Sequence, residues 1–180
     1  MLRTAEDKNL RTYGIDISSN AVEKAKRNAK KSEIIVGSGE KLPWPDEYFD
    51  YITCLGSLEH YINPESGVKE ICRVLKKDGL SAIMLPNKYL LYEVMKALFK
   101  GDSSEQWQIL ERSASKEEWW RFLEKSGLKV KKIFKYNKYP ELFQTGTWKL
   151  KSIRKFIVVS CIRYLAPFNF ASSFVYLCKK

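Results

Sequence analysis

The chain has 180 residues, of which 44% are hydrophobic and 13% aromatic, so it can bury a core and is not intrinsically disordered. Its formal net charge of +11 lies entirely in residues 129–180, because residues 1–128 hold 20 basic and 20 acidic side chains. This asymmetry predicts an acidic partner for the C-terminal third.

The four cysteines are scattered, without a C-x-x-C pair: Cys54, Cys72, Cys161 and Cys178. Their spacing predicts reduced thiols of a cytoplasmic protein rather than disulfides, and it predicts no metal site. Polar residues from Arg3 to Lys8 open the sequence, so we expect no signal peptide.

Strands and helices alternate through the first hundred residues. Four short apolar runs predict strands: Thr12–Ile17, Glu33–Val36, Asp50–Leu55 and Leu80–Leu85. Two stretches with apolar residues on one face predict helices: Asn20–Lys31 and Pro64–Leu75. Ser18 or Ser19 is the expected N-cap of the first helix, and the run from Lys76 to Gly79 is expected to end the second. This alternation predicts a parallel sheet covered on both faces.

The pattern changes beyond residue 88. A helix and a loop are predicted first, at Tyr89–Phe99 and Gly101–Ser104. A further helix should run from an N-cap at Ser115 to Lys125, with Glu118 at capping-box spacing. Two later strands are predicted, at Leu128–Lys135 and Phe174–Cys178. We therefore divide the chain into an α/β core (1–135), a basic insertion (136–173) and a final strand that returns to the core sheet (174–180).

Two predicted strand ends carry residues suited to a nucleoside. In an open parallel sheet, Asp16 can accept hydrogen bonds from both hydroxyls of a ribose. Gly37, Ser38 and Gly39 follow the next strand, and glycine lets the backbone approach a flat ligand. The alternative for Asp16 is an acid favoured by the dipole of the following helix. On the residues alone the two interpretations of Asp16 are about even.

Several runs in fixed order carry a resemblance to a known family: Gly14–Ser18, Gly37–Asp50, Leu58–His60 and Glu70–Gly79. Together they resemble the class I S-adenosylmethionine-dependent methyltransferases, most closely the type 11 group that includes the ubiquinone and menaquinone methyltransferases. The resemblance covers residues 1–135 and the final strand. It implies a Rossmann-like α/β fold with a mostly parallel sheet, an antiparallel last strand and S-adenosylmethionine as cofactor.

The resemblance also implies roles for single residues. Asp16 lies where the family's ribose-binding acid lies, which favours ligand binding over the helix-dipole interpretation, and Ile17 lies where an apolar residue contacts the adenine. The family has Gly-Asp-Ala-Glu where this chain has Gly37-Ser38-Gly39-Glu40, so Ser38 departs from the pattern. Its hydroxyl can still accept a hydrogen bond from the adenine amino group, without charge assistance. Gly39 is assigned to the same cofactor pocket.

Three residues at the end of the third strand correspond to those beside the methionine part of the cofactor: Cys54, Leu55 and Gly56. His60 is the only histidine of the sequence and lies on a turn that faces the acceptor in similar proteins. Methyl transfer depends mainly on proximity and orientation, and a base helps only where the acceptor carries a proton. His60 is therefore a candidate catalytic base; the alternative is a helix-start histidine satisfied by backbone groups.

The family's glycine-rich loop has no counterpart before Asp16. In similar folds the strand that leads into this loop lies at the centre of the sheet, between the strands predicted at Thr12–Ile17 and Asp50–Leu55. We therefore expect an N-terminally shortened version of a longer protein, and we expect that the 180-residue chain alone is not an efficient methyltransferase. Roughly 30–45 upstream residues, about one strand–loop–helix unit, should raise cofactor affinity and thermal stability together.

The segment Thr147–Phe168 interleaves basic residues with aromatic and aliphatic ones. It fits a cap over the acceptor pocket whose lysines are solvated, or an amphipathic surface that rests peripherally on an anionic membrane. Its unbroken apolar part is too short to span a bilayer, and no recognisable module supports nucleic-acid binding.

We predict methyl transfer to a small-molecule or lipid-linked acceptor. One alternative is a non-catalytic, degenerate methyltransferase-like interaction protein or an inactive fragment. Another is a nicotinamide dinucleotide enzyme, because Asp16 would hold that ribose equally well. The Leu42-Pro43 and Phe49-Asp50 pairs argue against the second alternative.

Overall fold

The computed structural model of the protein describes residues 1–89, 112–137 and 167–180. Its helices are α1 (Leu2–Glu6), α2 (Ser19–Asn28), α3 (Pro64–Val74) and α4 (Lys116–Lys125). Its strands are β1 (Tyr13–Asp16), β2 (Glu33–Val36), β3 (Phe49–Leu55), β4 (Leu75–Pro86), β5 (Lys129–Tyr136) and β6 (Ser173–Lys179). Short 3-10 helices cover Leu58–His60 and Phe168–Phe170. The predictions for Tyr89–Phe99, Gly101–Ser104 and Thr147–Phe168 fall almost wholly outside the described residues.

The helix starts follow local capping signals. The side chain of Ser18 accepts a hydrogen bond from the Ala21 amide at 3.3 Å, which confirms it as the N-cap of α2. At α4 the Ser115 hydroxyl accepts from the Glu118 amide at 3.3 Å, and the Glu118 carboxylate accepts from the Ser115 amide at 2.8 Å. The predicted capping box is therefore confirmed.

The strands form two sheets within the described ranges. One has four strands in the order β3-β4-β6-β5, with β3 and β4 parallel and β6 antiparallel to both of its neighbours. The other is the parallel pair β1 and β2. The α/β fold with an antiparallel last strand is thus confirmed. Among the described strands no ladder joins β1 to β3, and this break lies where the family's first strand was expected.

Aromatic side chains connect the two sheets at the start of β1 and β3. The ring of Tyr13 lies edge-to-face against Tyr48 and Phe49, with centroids 5.6 and 5.4 Å apart. The hydroxyls of Tyr13 and Tyr48 are 3.0 Å apart, and Trp44 also packs on Tyr13 and Phe49. Edge-to-face pairs add stabilisation beyond the area that they bury. The sheets therefore meet through side chains at the end opposite to the strands' carboxyl ends.

Each sheet has its own buried core. The larger core lies between the four-stranded sheet and helices α3 and α4, and includes Leu58, Val68, Ile83, Leu123, Phe174 and Tyr176, all fully buried. The smaller one consists of Val22, Ala29 and Ile34, with Leu2 and Ala25 packed against it. The apolar faces predicted for the helices at 20–31 and 64–75 are those that are buried.

The boundary between α3 and β4 differs from the prediction. The run from Lys76 to Gly79 was expected as a helix end before a strand at Leu80–Leu85, but β4 begins directly after α3, at Leu75. Leu75 pairs with Phe49, and the register then shifts, because Leu80 pairs with Tyr51. The four intervening residues interrupt the ladder inside the strand. β4 therefore starts at Leu75 because this residue pairs with β3, a strand that is distant in sequence.

No helix within the described ranges is both long and apolar enough to cross a membrane.

Candidate cofactor-binding site

The carboxyl ends of β1 and β2 lie side by side. The carbonyl of Asp16 accepts a hydrogen bond from the Gly37 amide at 3.0 Å, which joins the two strand ends. The Asp16 carboxylate is exposed, and its Oδ1 accepts from the Ser18 amide at 2.8 Å. This bond orients the carboxylate at the start of α2. Ile17 follows with 81% of its surface exposed, so an apolar side chain is presented beside the acid.

The loop after β2 is folded on itself and on a neighbouring tyrosine. The Ser38 hydroxyl accepts from the Glu40 amide at 3.1 Å, which leaves one lone pair of that oxygen for the predicted adenine contact. At Gly39 the space that a Cβ would take is filled by the Tyr61 hydroxyl. The close approach seen at Gly39 is therefore made by Tyr61, and contact of Gly39 with a cofactor stays a prediction.

The end of β3 combines a buried thiol with a glycine turn. Burial raises the pKa of the Cys54 thiol to about 11, and the neighbouring Tyr61 hydroxyl opposes this rise. Leu55 is 38% exposed. Gly56 has a φ of +72°, a left-handed conformation that glycine adopts without strain, and its amide donates to the Met84 carbonyl at 3.2 Å. The chain therefore leaves the sheet abruptly at Gly56.

His60 lies on the short helix that follows this turn. Its side chain is one-third exposed, and Nε2 is 3.9 Å from Oε1 of Glu59, whose carboxylate is buried. The imidazole thus lies next to an acid at the strand ends. Its role as a base stays a prediction.

Two residues that the sequence analysis did not select hold the turn after His60. The Glu40 carboxylate accepts from the amides of Ile62 and Asn63 at 2.9 and 3.1 Å. The Arg112 guanidinium donates to carbonyls of the same turn, those of Glu59, Tyr61 and Ile62. Glu40 belongs to a family-like motif, but no local pattern marks Arg112, because its partners lie about fifty residues earlier.

Three of the predicted site residues lie in the surroundings of Tyr61: Asp16, Gly39 and Cys54. Burial is the main cause that raises the pKa of its hydroxyl, and the Cys54 thiol and the carboxylates of Glu40 and Asp16 add to it. The structure therefore brings Asp16, Gly39 and Cys54 into one neighbourhood at the carboxyl ends of β1, β2 and β3.

Arg73 fixes the remainder of the loop between β2 and β3. Its guanidinium donates to both Glu70 carboxylate oxygens at 2.7 and 2.8 Å, to Asp46 at 2.8 Å, and to the carbonyls of Leu42 and Trp44 at 3.0 and 2.9 Å. Glu70 also accepts from the Leu42 amide at 2.7 Å. One charge pair on α3 thereby holds the loop that carries Gly39 and Glu40.

We expect Arg73→Ala to destabilise the fold by about 1.5–2 kcal/mol at neutral pH. The hydrogen bond from Arg73 holds the pKa of Glu70 below its ordinary value of 4.5. The Arg73–Glu70 pair therefore stabilises the fold fully above pH 4.5. Its contribution is lost as the pH falls through the lowered pKa of Glu70. Urea unfolding at about pH 7 and pH 3 should show a larger loss at the higher pH, and the bonds of Arg73 to the Leu42 and Trp44 carbonyls should account for a remaining loss at the lower. Arg121→Ala, which removes an exposed pair with Glu117, is the control. Equal losses at both pH values would contradict the assignment.

An exposed carboxylate acceptor beside an exposed apolar side chain fits the adenosine half of S-adenosylmethionine. The exposed Asp16 carboxylate would hold the ribose hydroxyls, and the exposed Ile17 would contact the adenine. Within the described ranges, no three His, Cys, Asp or Glu side chains come together to hold a metal ion.

Comparison with known proteins agrees with these features. Residues 1–83 match a family model described as a methyltransferase domain. The 2-methyl-6-phytyl-1,4-hydroquinone methyltransferase of Spinacia oleracea is 40% identical over 63 residues, which are 35% of this chain and 18% of that protein. The demethylmenaquinone methyltransferase of Thermotoga maritima is 35% identical over 75 residues, 42% of this chain and 33% of that protein. The chain thus spans a third or less of the length of these two relatives.

Solved structures show the same fold. A SAM-dependent methyltransferase from Thermotoga maritima superposes with a TM-score of 0.67 at 21% identity, over 98% of this chain and 75% of that one. The match of residues 1–83 to the methyltransferase-domain family and the shared fold both agree with the resemblance to the class I S-adenosylmethionine-dependent methyltransferases.

Proposed function

We propose that the protein transfers a methyl group from S-adenosylmethionine to a small-molecule or lipid-linked acceptor. The observation that carries the proposal is the exposed Asp16 carboxylate at the end of β1, oriented by Ser18 and joined to the loop after β2. The bound cofactor would supply an electrophilic methyl group on a sulfonium. The chain's own residues would bind the cofactor and the acceptor and orient them, because in-line displacement depends chiefly on geometry.

The acceptor proposal rests on relatives and on one side chain. Two relatives are named for a phytyl hydroquinone and for demethylmenaquinone, which supports a lipid-linked ring as the acceptor class. His60, beside the buried Glu59, would take a proton from such an acceptor where the reacting group carries one.

Calorimetry tests the proposal on the full-length protein, which is this chain together with any residues that precede it in its gene. S-adenosylhomocysteine should bind and NAD should not, and labelled S-adenosylmethionine should methylate a short-tailed hydroquinone. Binding of NAD alone would replace the proposal with a dinucleotide enzyme. Binding of S-adenosylhomocysteine without turnover on any acceptor would favour a non-catalytic interaction protein.

We further propose that the protein is cytoplasmic and contacts an anionic membrane surface through its basic third. β5 is the edge strand of the larger sheet, and its exposed side chains include Lys129, Lys131 and Lys135. On the same strand Phe134 is 44% exposed and Tyr136 is 45% exposed. Lysines with interfacial aromatics are a suitable surface for anionic headgroups.

Vesicle sedimentation tests this contact. We expect the protein to sediment with vesicles containing anionic phosphatidylglycerol, to be released as salt rises, and not to bind neutral phosphatidylcholine vesicles. Changing Lys129, Lys131 and Lys135 to Gln should abolish binding. Changing three exposed lysines in or just after α2 to Gln alters the charge equally and should leave binding intact: Lys24, Lys26 and Lys30. Equal loss in both triple variants would show a general charge effect and no membrane surface at β5.

A further inference from the structure

We propose that Tyr61 is a positioning residue of the cofactor site, which sets the place of the loop after β2 by filling the space between two glycines. The inference rests on the proposed function for its binding readout, and on packing alone for its stability readout. The family-like motifs do not single out Tyr61, but the atoms that surround its side chain do.

The ring of Tyr61 fills the space next to two glycines, Gly39 and Gly67. A side chain at either position would collide with the ring. A Cβ at Gly39 would meet the Tyr61 hydroxyl, and a Cβ at Gly67 would lie 2.5 and 2.6 Å from two of its ring carbons. Gly39 lies in the loop after β2, whereas Gly67 is buried inside α3. The ring therefore acts as a spacer between the cofactor loop and this helix.

Polar contacts hold the same spacer from its hydroxyl and from its backbone. The hydroxyl lies beside the Cys54 thiol at the end of β3. The two amides after Tyr61 donate to the Glu40 carboxylate, and Glu40 is the direct neighbour of Gly39. Loop and turn are thus joined twice, once through the ring and once through the carboxylate. A displaced ring would move the loop that carries Ser38 and Gly39.

Gly39 can be required for either of two reasons: close approach of the cofactor, as the sequence suggests, or room for the Tyr61 hydroxyl. If Gly39 is needed for close approach of the cofactor, alanine there weakens binding whatever residue stands at 61. If Gly39 is needed for Tyr61, alanine there has its effect only while Tyr61 is present. The two possibilities make opposite predictions for one pair of variants.

The first experiment measures S-adenosylhomocysteine affinity by calorimetry on the full-length protein. We expect Gly39→Ala and Tyr61→Leu each to weaken binding about tenfold, and the double variant to be no weaker than Tyr61→Leu alone. Tyr136→Leu, at an exposed tyrosine of β5, is the control and should not change affinity. Multiplied effects in the double variant would overturn the inference, as would unchanged affinity in Tyr61→Leu.

The second experiment does not need a bound ligand. Gly67→Ala should lower the melting temperature of the wild-type protein, because its Cβ collides with the ring. In a Tyr61→Ala background it should lower the melting temperature much less, because the ring is gone and only Leu58 Cδ1, at 3.2 Å, stays close to the new Cβ. If the wild-type protein binds no S-adenosylhomocysteine, the proposed function fails while this cycle still reports on Tyr61. A melting temperature lowered equally in both backgrounds would refute the spacer.

Discussion

Replacement of Asp16 by alanine is expected to weaken S-adenosylhomocysteine binding to the full-length protein by about 2–3 kcal/mol, since two charge-assisted hydrogen bonds to the ribose would be lost. The exposed carboxylate is held in place by the Ser18 amide, which occupies one of its oxygens. Calorimetry measures the affinity, and a melting curve of each variant measures stability.

Two further variants separate ligand binding from a role at the start of α2. Asp16→Asn keeps an acceptor for the Ser18 amide but removes the charge, so it should fold normally and still bind weakly. Asp78→Ala removes an exposed acid from the interrupted part of β4 and should leave affinity unchanged. If Asp16→Ala lowers the melting temperature and leaves affinity intact, Asp16 is a helix-dipole acid and the ribose assignment fails.

Phe174→Ala is expected to destabilise the protein by about 3–5 kcal/mol, because it would leave a cavity in the larger core. Phe174 is fully buried in β6, stacks on Phe168 with centroids 5.6 Å apart, and lies edge-to-face against Tyr176 at 6.4 Å. Its strand pairs with both β4 and β5, so few neighbours can relax into the space. Urea unfolding measures the change.

Phe134→Ala is the matched control for this prediction. Phe134 lies on β5 and is 44% exposed, so its truncation should cost less than about 1 kcal/mol. A loss of similar size at Phe134 and Phe174 would mean that β5 is covered in solution and that the core is not centred on β6.

Elements governed by local signals were predicted closely. The bounds of β2 agree with the prediction residue for residue, and the capping box at Ser115 is present with both of its hydrogen bonds. The apolar stripe of α3 is buried at Val68, Ile71 and Val74. Periodicity and capping act over a few residues, so a sequence displays them directly.

Features that depend on distant partners were not predicted. The early start of β4 follows from the pairing of Leu75 with Phe49, which no pattern around Leu75 reveals. The surroundings of Tyr61 require Gly39 and Gly67 to approach from separate elements. Asp16 was predicted as a site residue because strand ends of a parallel sheet share one edge, whereas Tyr61 was not, because its position results from tertiary packing.

The break between the two sheets also divides the cooperativity of folding. β1, β2 and α2 have a small core of their own, so this unit can open while the four-stranded sheet stays folded. Asp16 belongs to the small unit, and Cys54 and Tyr61 belong to the large one. A ligand that contacts both sides couples their opening, and its binding free energy stabilises the weaker unit most. We therefore expect cofactor binding to slow hydrogen exchange more in β1, β2 and α2 than in the four-stranded sheet.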